Sequence, residues 1–147
     1  MPSRVSGRFL PAPRIPQTKR PERKERPVVR RLLLGAAEFY SRPGKPGGCL
    51  FVIGAIAASP QAQDVAEELK TYRKATEAAI AARLVEGQAA GDFPADVSVQ
   101  HWAKYLTSVM HGMSIQARDG ASAEELRALA QTALTALPIG IDKIETV

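Results

Sequence analysis

From Val28 onward, apolar residues recur along the chain at the spacing of an α-helix. Val29, Leu32, Leu33, Ala36 and Tyr40 follow i, i+3, i+4 and i+7 steps, the rows that share one side of a 3.6-residue turn. The spacing predicts a helix over 28–41, ended by Ser41-Arg42-Pro43-Gly44. Cys49 to Ala58 is apolar on every side and bounded by Pro46-Gly47-Gly48 and Ser59-Pro60. Period alone allows a buried strand there, but Gly54, the alanines of the second half and the flanking helices favour a buried central helix.

Asp64 with Glu67 three residues on has the form of a capping box, opening a helix over 64–90. Val65, Leu69, Tyr72, Thr76, Ala79, Ile80 and Leu84 lie near one of its faces, with Gly87 a weak point in the last turn and Gly91 the stop. Ser98 then caps the most regular stripe of the chain: Val99, Trp102, Ala103, Leu106, Val109, Met110, Met113 and Ala117, over 98–118. Asp119-Gly120 ends it. Ser122-Ala-Glu-Glu125 is a capping box for a last helix over 122–137, carrying Leu126, Leu129, Ala130, Ala133, Leu134 and Leu137 up to Pro138. A loop this short between two amphipathic helices folds them back antiparallel. The pattern as a whole predicts an all-α bundle of about five helices.

Residues 1–27 show no apolar period and hold six prolines, Pro2, Pro11, Pro13, Pro16, Pro21 and Pro27, too closely spaced for a helix. They read as a disordered basic arm ahead of a domain over 28–147. Composition agrees with helices: 45% of the 147 residues are hydrophobic but only 5% aromatic, which suits alanine- and leucine-rich helices better than sheets.

The net charge of +5 suggests nucleic acid until the charge is located. Residues 1–31 hold ten basic side chains against two acidic ones, a net +8, and the remainder holds ten against thirteen, a net −3. The basicity therefore belongs to the arm. Arg14, Lys19, Arg20, Arg23 and Lys24 are its candidate phosphate contacts, and weak, non-specific association with nucleic acid through them is an alternative reading. Phe9 is the arm's only aromatic, so base stacking finds no support.

Little in the chain points to a reaction. Cys49 is the single cysteine, which excludes an internal disulfide and leaves a reducing cytosol as the default. Cys49 sits on a different element from His101 and His111, with no orienting carboxylate beside either histidine, and no paired carboxylates, phosphate loop or zinc spacing occurs. An enzyme, a metal site and a cofactor are not expected. The ten-residue apolar run at 49–58 is far short of the roughly 20 residues that span a bilayer. Trp102 and Met110 lie on the main stripe, where such residues either fill core or line a pocket for apolar ligands.

Four stretches together resemble the C-terminal domain of TetR/AcrR-type transcriptional regulators: Arg31-Leu-Leu-Leu-Gly-Ala-Ala-Glu-Phe-Tyr40, Pro46-Gly-Gly-Cys-Leu-Phe51, Glu86-Gly-Gln-Ala-Ala-Gly-Asp-Phe-Pro-Ala-Asp96 and Arg118-Asp-Gly-Ala-Ser-Ala-Glu-Glu-Leu126. The resemblance runs from about Val28 to Leu137. It implies a pocket for a small apolar effector among the middle helices, for which Phe39, Ile53, Tyr72, Trp102, Leu106 and Met110 are the candidate lining. It also implies that the last two helices pair with those of a second copy, or of an intact relative. The candidates for that surface are Tyr105, Val109, His111, Gly112, Met113, Leu126, Leu129, Ala133 and Leu134, with a close helix crossing at Gly112. Such regulators carry a helix-turn-helix ahead of this region, and residues 1–27 contain nothing like one. A truncated regulator that reaches DNA only indirectly is the expectation.

Overall fold

The computed structural model describes residues 25–56 and 60–138. It contains α1 (Glu25–Tyr40), α2 (Leu50–Ile56), a single 3-10 turn (Pro60–Ala62), α3 (Gln63–Ala89), α4 (Val99–Arg118) and α5 (Ala123–Thr135). No strand occurs among the described residues. The all-α reading holds, and α1 begins three residues inside the stretch assigned to the arm. Pro27 is accommodated because it sits in the first turn, where backbone N–H groups lack helical partners in any case.

The core forms where stripes from four helices meet. Val29, Leu33 and Ala37 of α1 pack with Ile80 and Leu84 of α3, Ala103, Leu106 and Met113 of α4, and Leu126, Ala130 and Ala133 of α5, all buried. α1 lies against both α4 and α5, whereas α2 lies against α3 and α4. The second half of α3 therefore belongs to the core, and its first half, with Val65 and Tyr72 exposed, stands beside α2.

The helix ends are written in the sequence by specific chemistry. The Ser98 hydroxyl accepts from the His101 N–H at the start of α4. At α5 the expected capping box is complete: Ser122 Oγ accepts from Glu125 N–H at 3.2 Å, and Glu125 accepts from Ser122 N–H at 2.8 Å. Those bonds hold the Glu125 carboxyl below its ordinary range. Gly91 and Gly120, at φ of 74° and 100°, close α3 and α4 in left-handed backbone. In both the two following N–H groups fold back onto the last turn: Gly91 and Asp92 onto Gln88 and Gly87, Gly120 and Ala121 onto Ala117 and Gln116.

Two expectations are corrected. The segment read as a buried central helix forms seven described residues of helix with Val52 buried, but Leu50 is 75% and Phe51 43% exposed. Among the described residues α3 and α4 are the helices packed on α2, and they leave its Leu50 and Phe51 side chains uncovered. Ala57 and Ala58 lie outside the described residues. The capping box proposed at Asp64 does not form: the N-cap is Ala62, without a side-chain bond. Pro60 starts the turn that feeds α3, which places Asp64 inside the first helical turn, where its charge still favours the positive end of the helix. Glu67 pairs with Lys70 instead, at 3.0 Å.

Candidate functional site

The site begins at the loop between α1 and α2. Gly48 N–H donates to the Tyr40 carbonyl at 3.1 Å, folding the chain back across the end of α1. Gly47 and Gly48 then lie flush on the backbone of α4: a Cβ on Gly47 would collide with the Ala117 carbonyl, and one on Gly48 with that of Ser114. Gly48 also sits at φ 87°, a conformation that side chains resist. Cys49 N–H donates to the hydroxyl of Ser114, a fully buried residue of α4, at 2.7 Å. The Cys49 carbonyl accepts from Val52 and Ile53 and so starts α2. A second tie comes from α3, where Arg73 donates to the Phe51 carbonyl at 2.7 Å. The short helix is thus fastened to α4 through its leading residue and to α3 through its first turn.

Between these ties lies a cleft of about 180 Å³, open to solvent on one side. Tyr40, Cys49, Phe51 and Val52 form one wall. Tyr72, Arg73 and Thr76 of α3 face Thr107, Met110 and His111 of α4 across it. Phe51 and Tyr72 rings meet at 5.0 Å and close the mouth from one side. The hydroxyls of Thr76 and Thr107 are committed to the carbonyls of Tyr72 and Ala103.

Burial sets the electrostatics. Tyr40 is pushed up from 10.0 to about 12 by burial, with the Cys49 thiol adding to the rise. Burial also lowers His111, helped by the Arg73 charge and then by Lys104, while Glu77 opposes them. Glu77 itself is held by Lys104 at 2.6 Å, a bridge from α3 to α4. For Tyr40 the raised value means that the folded state keeps its proton where the unfolded chain releases it. Stability is therefore present below pH 10 and lost between 10 and about 12. Urea midpoints measured across that window are expected to fall in the native chain and to stay flatter in Tyr40→Phe.

Of the six residues expected to line a pocket, Tyr72 and Met110 line the cleft. Leu106 does not; it is sealed in the core. Phe39 points away, exposed, with the Arg42 guanidinium 4.4 Å from its ring centre. Ile53 is half-buried on α2, and Trp102 packs edge-on against Tyr105 at 5.3 Å, both apart from the cleft. Cys49, which opens the apolar run read as a buried helix, is half-buried in the cleft wall. Hydrophobic periodicity places Thr76 near the apolar face of its helix but does not point to Arg73, Thr107 or His111; the Gly47-Gly48 pair is the one signal of a close backbone approach at this place.

The residues expected to pair with a second copy divide into two groups. Met113, Leu126 and Ala133 are buried in this chain's own core, a correction to the expected surface, because α1 already covers that side of α5 and α4. Tyr105, Val109 and Leu134 are half-buried, Gly112 and Leu129 exposed, and His111 turns to the cleft. A Cβ on Gly112 would meet nothing within 4 Å, so among the described residues no helix crosses closely there. Arg14, Lys19, Arg20, Arg23 and Lys24 lie outside the described residues.

A five-helix domain with a small, largely apolar cleft between its middle helices has the architecture of the C-terminal regulatory domain in TetR-like transcription regulators. The family model described as tetracyclin repressor-like, C-terminal domain, matches residues 26–135, and the chain belongs to that family. The HTH-type transcriptional repressor ComR of Escherichia coli K12 is 34% identical over 102 residues, 69% of this chain and 49% of that protein. Among solved structures, the TetR family transcriptional regulator CifR, as a cysteine mutant complexed with 26-base-pair operator DNA, superposes with a TM-score of 0.73 at 31% identity. That match covers 77% of this chain and 59% of CifR. A putative TetR regulator from Rhodococcus sp. RHA1 superposes at 0.67 with 30% identity, over 83% and 64% of the two chains. The chain spans about half the length of the curated relative it matches. No helix among the described residues is long and apolar enough to cross a membrane.

Proposed function

We propose that this chain is the effector-sensing and dimerising domain of a TetR-like transcriptional regulator. The observation that carries the sensing half is the placement of the cleft. It lies between α3 and α4 beneath a short helix tied to both, through Arg73 on one side and Ser114 on the other. A ligand that wedges there has different affinities for a closed and a parted arrangement of α3 and α4, which is the condition for shifting between them. α2, with few buried side chains and two ties, is the element that yields most readily.

The dimerising half rests on the outer faces of α4 and α5, where apolar residues remain uncovered in the single chain: Tyr105 and Val109 in part, Leu129 more fully. Paired about a two-fold axis, these faces form a four-helix bundle burying about 1,600 Å² in total, the size of a stable interface. ComR is described as a transcriptional repressor, and CifR is seen on operator DNA. In this chain the same sensing step acts on DNA through whatever reading domain the dimer carries, its own or that of an intact relative.

Light scattering on the purified chain, alone and mixed with a full-length TetR-like relative, tests the pairing. A dimer at micromolar concentration, or a mixed species of intermediate mass, is expected. A strictly monomeric profile in both samples removes the dimerising half of the reading.

A further inference from the structure

Taking the cleft as the effector site, as proposed above, we infer that its effector is an anionic amphiphile, a small apolar body carrying a carboxylate that seats on Arg73. The apolar share of the ligand follows from the walls, where Tyr40, Phe51, Val52 and Met110 supply rings and aliphatic surface. The acid follows from accounting for the polar groups. The two threonine hydroxyls in the cleft already donate to backbone carbonyls one turn back. Beside the Tyr40 and Tyr72 hydroxyls and the Cys49 thiol, the basic side chains of the cleft are Arg73 and His111, one from each long helix.

Arg73 is a half-buried guanidinium that spends one donor on the Phe51 carbonyl. A guanidinium has five, arranged in a fork that fits a carboxylate. Its nearest acid along α3, Glu77, is one turn away and engaged by Lys104. Among the described residues no carboxylate lies within ion-pair distance of Arg73. The cleft therefore keeps a cation that no described carboxylate pairs with directly, beside low-dielectric walls where attraction for an anion exceeds that on open surface. His111 stands opposite, facing Arg73 and Glu77 from α3 and Lys104 from its own helix, with Cys49 and Tyr40 in the same cleft. Its imidazole adds a hydrogen bond to an acid already held by Arg73. A cationic ligand meets Arg73 head-on, and a neutral one leaves it unpaired.

Calorimetric titration of the whole chain with octanoate, octanol and octylamine tests this, since the three share one apolar body and differ in the head. Octanoate is expected to bind at least about tenfold more tightly than octanol, with octylamine weakest. Arg73→Gln should erase the preference for the acid, and Arg73→Lys, which keeps the charge and a donor for Phe51, should retain most of it. Thermal melts of both variants establish that they fold. Equal binding of octanoate and octanol, or a preference that survives in Arg73→Gln, overturns the anionic class and leaves the cleft an effector site of another kind. Binding of none of the three also overturns it. The sensing role itself is lost only if the melting temperature ignores a broad set of apolar compounds as well.

Discussion

Replacing Gly47 with alanine is expected to destabilise the domain by about 3 kcal/mol and lower its melting temperature by about 10 °C. The added Cβ would overlap the Ala117 carbonyl oxygen and lie 2.7 Å from the carbonyl carbon, so the obstacle is helix backbone and not a side chain that can rotate away. α4 is the central helix of the core, with Ala103, Leu106 and Met113 buried around it, and it cannot shift without opening that packing. The loop must move instead, which breaks the Cys49 to Ser114 bond and leaves a fully buried hydroxyl to find another partner. Gly48→Ala adds a left-handed φ to a comparable collision. Gly35→Ala is the control: nothing lies within 4 Å of a Cβ there, and alanine favours the helix by about 0.5–1 kcal/mol. Thermal melts of the three variants decide the matter. A Gly47→Ala protein that melts with the native chain would show that the loop does not rest on α4.

The same loop shows where the sequence is legible and where it is not. α4 and α5 can be read almost to the residue, because an amphipathic stripe, a serine cap and a terminal glycine all describe one helix and need no knowledge of neighbours. Ser98, Ser122 and Gly120 act in the structure as their chemistry predicts. α2 is different. A segment apolar on every side states that it wants cover without stating what supplies it, and in a single chain Leu50 and Phe51 remain exposed. Asp64 misleads for a related reason: a capping signature is local, and Pro60 had already begun the turn upstream.

The cleft is legible only in part because periodicity gives a face and not a depth. Leu106 and Met110 are one turn apart on the same stripe, yet the first is sealed beneath α1 and α5 and the second meets the cleft, a difference that depends on where α2 is fastened. Arg73 and His111 belong to no apolar stripe, and only the approach of α3 to α4 brings them together. Ser114 sits between two stripe residues as an ordinary small polar side chain. Its importance appears when the Gly47-Gly48 pair is seen to deliver the Cys49 N–H to it.

Gly112→Arg is expected to turn the proposed dimer into a monomer, raising its dissociation constant by about a thousandfold while leaving the fold intact. Tyr105, Val109 and Gly112 stand at i, i+4 and i+7 on α4 and form one row along the edge of the core, with Tyr105 and Val109 packed partly against it. Gly112 is exposed, and the space where its Cβ would lie is open in the single chain, so arginine there is harmless to the monomer. In a two-fold bundle each substitution occurs twice, close to the axis, and two like charges are forced into an apolar seam without partners. Gly112→Ala separates the two roles of this position. Alanine should stabilise the isolated helix by up to about 1 kcal/mol, yet weaken the pairing if the backbones approach closely at this point. Sedimentation velocity at several concentrations, read with thermal melts, distinguishes these effects. An intact dimer in Gly112→Arg means that the copies do not meet at this row, and α5, through Leu129 and Leu134, would then have to supply the contact.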